Sequence, residues 1–157
     1  MTSFPVPGDP VRLLVVDDSP SIRAVIRAMV EGDAGIRIVG EAGTGGEAVE
    51  MARTLRPGVI LMDVRMPEMD GIEATGRIMA SEAVPIIAFS AFTWGAEAKA
   101  SIEMLAAGAL DVMAKPDLAA KGAVSDCSRV LRKKIRSASR VAVVRHPRGA
   151  VAVSRER

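Results

Sequence analysis

The stretch VRLLVVDDSPSIR, Val11 to Arg23, decides how the rest of the chain is read. Val11–Val16 is a short apolar, β-branched run that stops at Asp17-Asp18, the pattern of a strand buried on both faces. Ser19 stands where it can cap a helix, with Pro20 at the first helical position. Ile22, Val25, Ile26, Met29 and Val30 then recur at helical spacing. Arg23 and Arg27 fall on the opposite side, and Gly32 closes the helix.

The alternation continues outward from there. Ile36–Gly40 reads as a second strand. Thr44 with Glu47 three residues on forms a capping box for a helix whose apolar face is Ala48, Met51, Ala52 and Leu55, and Pro57-Gly58 stops it. Val59–Met62 is a third buried strand, ending at Asp63, and Gly71–Ala80 a third helix. Pro85–Ser90 is a fourth strand with its proline at the start, where it is tolerated. An Ala-rich helix follows over Ala96–Ala107, closed by Gly108. Ala109–Ala114 is a fifth strand candidate, ending at Lys115-Pro116, and a last helix falls within Leu118–Ser139, with Ser128–Ser137 its clearest stretch. Strands alternating with helices predict an α/β fold: a doubly wound, flavodoxin-like, five-stranded parallel sheet with helices on both faces and right-handed crossovers.

Composition fits that picture. The chain has 157 residues, enough for one domain plus extensions, and is 49% hydrophobic and 25% charged. Aromatics are scarce (Phe4, Phe89, Phe92 and Trp94), so the core must be aliphatic. The single Cys127 excludes an internal disulfide and a cysteine-rich metal site, and fits a reducing, cytoplasmic setting. No apolar run approaches the roughly 20 residues that span a bilayer, so no membrane partner is expected. The net charge of +2 conceals a split: residues 1–120 carry 10 Lys/Arg against 17 Asp/Glu, and residues 121–157 carry 11 against 2. The basic character belongs to the tail, which lacks aromatics and is followed by no helix-turn-helix. Nucleic acid is therefore not an expected partner.

The residues just past the strand ends carry the chemistry. In an open parallel sheet all carboxyl ends of the strands face one edge, where ligands bind. Asp17, Asp18, Asp63, Ser90 and Lys115 should converge there. Packed carboxylates repel unless a proton or cation relieves them, and Mg²⁺ suits one or two carboxylates with waters and phosphate oxygens. Lys115 and Ser90 could meet phosphoryl oxygens, and Asp63 is left as a nucleophile able to form an aspartyl-phosphate. A hydrolase using the same aspartate would need an acid two residues later, where Arg65 stands. A pure interaction module would not need the full set.

Four blocks carry a resemblance: LVVDDSPSIR, LMDVRMPEMDGIEA, PIIAFSAF and GALDVMAKP. In that order they resemble the response-regulator receiver family over residues 11–120. The resemblance implies Asp63 as phosphoacceptor, Asp18 as direct Mg²⁺ ligand with Asp17 acting through water, and the main-chain carbonyl of Arg65 as a further ligand. It implies a histidine kinase as phosphodonor, an output partner of unknown identity, and no enzymatic activity beyond self-catalysed phosphorylation. Ser90 and Lys115 match the switch hydroxyl and the phosphate-binding lysine, and Pro116 the proline whose preceding peptide is commonly cis. Val112 stands where the family usually has an aromatic, so a switch is expected to run through Ser90, Phe92, Trp94 and Val112.

The run FSAFTWGAEAKASIEMLAAGALDVMAKP further resembles the receiver half of chemotaxis protein-glutamate methylesterases, and KKIRSASR their linker helix. No G-x-S-x-G turn is present, and the one histidine, His146, sits in the basic tail. A truncated or stand-alone form of such a regulator is the alternative reading. The expected organisation is a disordered leader at 1–10, a receiver domain at 11–120, a last helix and linker-like basic helix at 121–140, and a basic tail at 141–157.

Overall fold

Val11–Val16 forms the first strand, and every later element follows in strict strand–helix alternation. The computed structural model describes residues 8–91 and 95–144. The elements are β1 (Val11–Val16), α1 (Pro20–Val30), β2 (Ile36–Ala42), α2 (Gly45–Leu55), β3 (Val59–Asp63), α3 (Gly71–Ser81), β4 (Ile86–Ser90), α4 (Ala96–Ala107), β5 (Asp111–Ala114) and α5 (Ala123–Ser139). The strands form one parallel sheet in the order β2-β1-β3-β4-β5. This is the expected doubly wound fold, and the strand order reverses between β1 and β3.

Two cores follow from the two faces. Ala48, Ala52, Ala74, Ile78, Met79 and Met104 bring α2, α3 and α4 onto one face, against Leu14, Val16, Ile60, Met62 and Ile86. Ile26, Met29, Val30, Leu131 and Ile135 bring α1 and α5 onto the other, against Leu13, Val15, Leu61, Ile87 and Phe89. Successive strand residues point to opposite faces, which is why the strands are apolar without alternation. Among the described residues, no helix is long and apolar enough to cross a membrane.

The helix starts follow the predicted chemistry. Ser19 Oγ accepts from Ile22 N (3.3 Å), with Pro20 opening α1. Thr44 Oγ1 accepts from Glu47 N (3.1 Å), and Glu47 Oε1 accepts from Gly43 N (2.8 Å). Strand β2 runs two residues further than expected. Gly40 does not end it: a Cβ there would lie 2.7 Å from Leu55 Cδ1, so the glycine lets α2 settle on the strand.

Helix α5 is built into the second core. Leu131 and Ile135 are fully buried, Ser128 Oγ donates to Met29 O (2.5 Å), and Arg136 Nη2 donates to both oxygens of Asp33 (2.5 and 2.6 Å). Lys134 Nζ donates to Asp111 Oδ2 (2.6 Å), tying α5 to the edge strand β5. Beyond α5, the half-buried Val143 packs against the opposite core.

Burial of α5 predicts a contrast between neighbours. Leu131→Ala should cost about 2–5 kcal/mol in urea unfolding, because it opens a cavity in a fully packed site. Val130→Ala, at a side chain 45% exposed, should stay within about 0.5 kcal/mol. Equal effects would mean that α5 is not part of the folding unit.

Candidate functional site

Parallel pairing brings the carboxyl ends of the strands to one edge, and the register sets which residues are level. Val16 pairs with Met62, so Asp17 follows β1 where Asp63 closes β3; Ser90 pairs with Ala114, so Lys115 lies one step past Ser90. The Lys115 amide donates to Ser90 O (2.8 Å), extending that pairing. Lys115 Nζ lies 3.0 Å from Asp63 Oδ1 and 2.9 Å from Asp17 Oδ2. Carboxylate oxygens from Asp17, Asp18 and Asp63 all lie within 4.8 Å of one another. Asp17 and Asp63 are buried, whereas Asp18 is exposed.

The loop after Asp63 is held by close backbone approach. A Cβ on Gly71 would fall 2.0 Å from Asp63 O, and one on Gly45 would fall 2.4 Å from Met69 O. Only glycine lets α3 and α2 begin so near this loop. Pro67 and Glu68 turn the chain back, Glu68 with a positive φ of 67°, and Asp70 caps α3 by accepting from Glu73 N (2.9 Å). Asp18, Arg65, Met66, Pro67 and Asp70 line an open pocket of about 340 Å³ that shares Asp18 with the acidic cluster.

Charge dominates this corner. Burial strips water from the Asp63 carboxylate and is the largest influence on it. The Lys115 ammonium opposes that effect, Asp17 and Asp18 reinforce it, and the pKa rises to about 6 from its ordinary 3.8. Burial alone would lower the pKa of Lys115, but the nearby carboxylates of Asp17 and Asp63 outweigh it, so Lys115 is held protonated above its ordinary range. Asp17 Oδ1 accepts from Ser19 N (2.9 Å), but its buried Oδ2 receives no directed hydrogen bond. The Lys115 ammonium 2.9 Å away is a charge contact outside hydrogen-bonding geometry. Three carboxylates against one ammonium, with a buried oxygen lacking a donor, suit a hard divalent cation with oxygen ligands such as Mg²⁺.

The structure therefore brings together Asp17, Asp18, Asp63 and Lys115, with Ser90 buried at the end of β4 and Arg65 lining the adjoining pocket. Val112 is half-buried on β5 and packs toward the α2–α4 core. Phe92, Trp94 and His146 lie outside the described residues. The Lys115–Pro116 peptide is trans, unlike the cis form common in the resembling family; the trans preference before proline is small, about 0.5–1 kcal/mol. One residue near the site escaped sequence reasoning. Arg23, placed on the solvent side of α1, donates from Nη1 to Asp17 O (2.5 Å). Its only signal in the sequence is its place one turn beyond the capping Ser19.

The raised Asp63 pKa has a definite consequence for stability. A carboxyl whose folded pKa exceeds its unfolded value contributes stability fully present below about pH 4 and lost as pH rises through about 6. In the metal-free protein, Asp63→Asn should therefore raise the thermal midpoint more at about pH 7.5 than at about pH 5. The same gain at both values would show that Asp63 titrates normally.

Comparison with known proteins agrees with this geometry. Residues 13–121 match the family described as the response regulator receiver domain. A protein-glutamate methylesterase/protein-glutamine glutaminase of Myxococcus xanthus is 42% identical over 139 residues, covering 88% of this chain and 39% of that relative. Another, from Desulfitobacterium hafniense, is 38% identical and covers 86% of this chain and 34% of that relative. The chain thus spans between a third and two fifths of the length of these curated relatives. The crystal structure of the response regulator domain of Thermotoga maritima CheB superposes with a TM-score of 0.74 at 36% identity, covering 85% of this chain and 98% of that one. The receiver domain of the Pseudomonas aeruginosa sensor histidine kinase PA1611, solved with a magnesium ion coordinated in its active site cleft, gives 0.64 at 34% identity, covering 81% and 98%. By its sequence, its sheet order and its relatives, the chain belongs to the response regulator receiver domain family and is similar to the receiver half of the CheB methylesterases.

Proposed function

We propose that this receiver accepts a phosphoryl group on Asp63 from the phosphohistidine of a kinase, and that the added charge alters a partner-binding surface in chemotaxis signalling. The observation that carries this reading is the buried Asp63 carboxylate, in contact with Lys115 and crowded by Asp17 and Asp18 at the ligand-binding edge of the sheet. Its setting is cytoplasmic, and its output partner is a methylesterase domain, in the same chain or a separate one. The likeness to methylesterases over their receiver half supports that choice.

Each residue has a distinct task. Lys115 engages Asp63 Oδ1, leaving Oδ2 to attack phosphorus. The new O–P bond forms as the N–P bond of the phosphoimidazole breaks, and its electron pair returns to the imidazole nitrogen. A carboxyl with a pKa of about 6 is mostly ionised at neutral pH, so the nucleophile is ready without a base. Lys115 and Ser90 then meet the phosphoryl oxygens. Asp18 and Asp63 would hold Mg²⁺ directly, with Asp17 acting through water and Arg65 through its main-chain carbonyl. When bound, the ion supplies the positive charge that neutralises the transferred oxygens. The protein turns over no separate substrate in this scheme.

Phosphoryl incorporation from a small phosphodonor with Mg²⁺, followed by an acid-lability test, checks the assignment. Asp63→Asn should abolish labelling and keep the fold, since the amide matches the carboxylate in size. Lys115→Ala should retain slower labelling, because the nucleophile survives. Acid-stable labelling retained in Asp63→Asn would place the acceptor on a hydroxyl and overturn the reading.

A further inference from the structure

Among the described residues, the main-chain carbonyl of Asp17 receives its side-chain hydrogen bond from Arg23. Asp17 is otherwise held at three points: its amide donates to Ala42 O (3.0 Å), its Oδ1 accepts from Ser19 N (2.9 Å), and its Oδ2 lies 2.9 Å from the Lys115 ammonium. Its carbonyl is the remaining handle, and Arg23 Nη1 donates to it at 2.5 Å. That carbonyl belongs to the peptide plane joining Asp17 to Asp18. Fixing the plane fixes where the Asp18 Cα sits, and with the Asp18 φ this sets the direction in which the side chain leaves the chain. Asp18 itself is exposed, so its carboxylate has little packing to orient it.

A bare guanidinium at this distance would also compete with a cation for the carboxylates. It is not bare. Arg23 Nε lies 3.3 Å from Glu41 Oε1, at the end of β2, and Arg27 Nη1, one turn along α1, donates to both oxygens of Glu41 (2.6 and 2.7 Å). Glu41 therefore braces two arginines, sets the angle of Arg23, and offsets its charge. The three residues come from α1 and β2, neither of which contributes a carboxylate to the acidic cluster. Arg23 is only about one-fifth exposed, so the arrangement is not a loose surface pair.

We infer that Arg23, braced by Glu41, is a positioning residue for the cation site: it holds the Asp17–Asp18 peptide so that Asp18 faces the ion. This rests on the reading that the acidic cluster binds Mg²⁺. A purely structural role, stapling α1 to β2, would lower stability and leave the metal affinity alone. Lysine can donate to the Asp17 carbonyl but lacks the fork needed to engage Glu41 as well.

Calorimetric Mg²⁺ titration of the whole chain separates these possibilities, using the parent, Arg23→Ala, Arg23→Lys and Asp18→Ala. Thermal midpoints are recorded on each metal-free protein. The parent should bind and Asp18→Ala should not, which tests the cation site itself. Arg23→Ala should bind about tenfold more weakly, the low end for residues that orient a metal's ligands, and Arg23→Lys should fall between it and the parent. With a small phosphodonor, Arg23→Ala should need more Mg²⁺ for half-maximal labelling yet approach the parent rate at saturation. If the parent binds no Mg²⁺, the underlying reading fails. If the parent binds and both Arg23 variants bind equally well, Arg23 does not position the site and the inference fails, whatever their thermal midpoints.

Discussion

Lys115 sets its ammonium within 3.0 Å of two buried carboxylates from two other strands, and much of the architecture serves that contact. β4 lies between β3 and β5, with neighbouring strands about 4.8 Å apart. The lysine chain must therefore pass over the end of β4 to reach Asp63 and Asp17. Ser90 occupies that place, and its small side chain leaves the route open. The main-chain bond from Lys115 N to Ser90 O anchors the start of the crossing. A sheet with β5 elsewhere in the order would leave both acids without a counter-charge.

That one ammonium is insufficient on purpose, in the sense that the surrounding packing tolerates the deficit. Asp17 and Asp63 are almost fully buried, and a charge there loses its water. The deficit is visible in the raised Asp63 pKa and in the unsatisfied Asp17 Oδ2. Both cores are mainly aliphatic and are buried along Leu13–Val16 and Val59–Met62, and their apolar burial offsets the cost of holding unpaired charge at the edge. The metal-free site is thus prepared for a ligand that brings positive charge, or for a group that exchanges one oxyanion for another.

How much of this could be read from the sequence depends on the range of each interaction. The strands were legible because each is a short run buried on both faces, and the helix starts because Ser19, Thr44 and their partners act within three residues. The convergence of Asp17, Asp18, Asp63 and Lys115 followed from one rule about parallel sheets. The misread details are non-local. Gly40 looked like a strand end because the Leu55 methyl that requires it lies on another element. Arg23 fell on the side opposite the apolar face, and its partners Asp17 O and Glu41 are brought to it only by the fold.

The place of Val112 bears on how a charge change at Asp63 would travel in the proposed reading. Val112 is half-buried toward the core formed with α2, α3 and α4, and it is β-branched, with one dominant side-chain rotamer available to it. It cannot swing between an exposed and a buried position as a large ring can. Among the described residues, groups already joined to the site are better placed to respond. Lys115 is the candidate, because its Nζ touches the two acids and its amide is bonded to Ser90. A phosphoryl group on Asp63 would offer the ammonium a more highly charged partner and draw it from Asp17. In that reading the displacement would reach the main chain joining β4 and β5, and the Asp111–Lys134 pair links β5 to α5. At position 112, Val112 fits a switch built on a translating strand end better than one built on a ring rotating at that place.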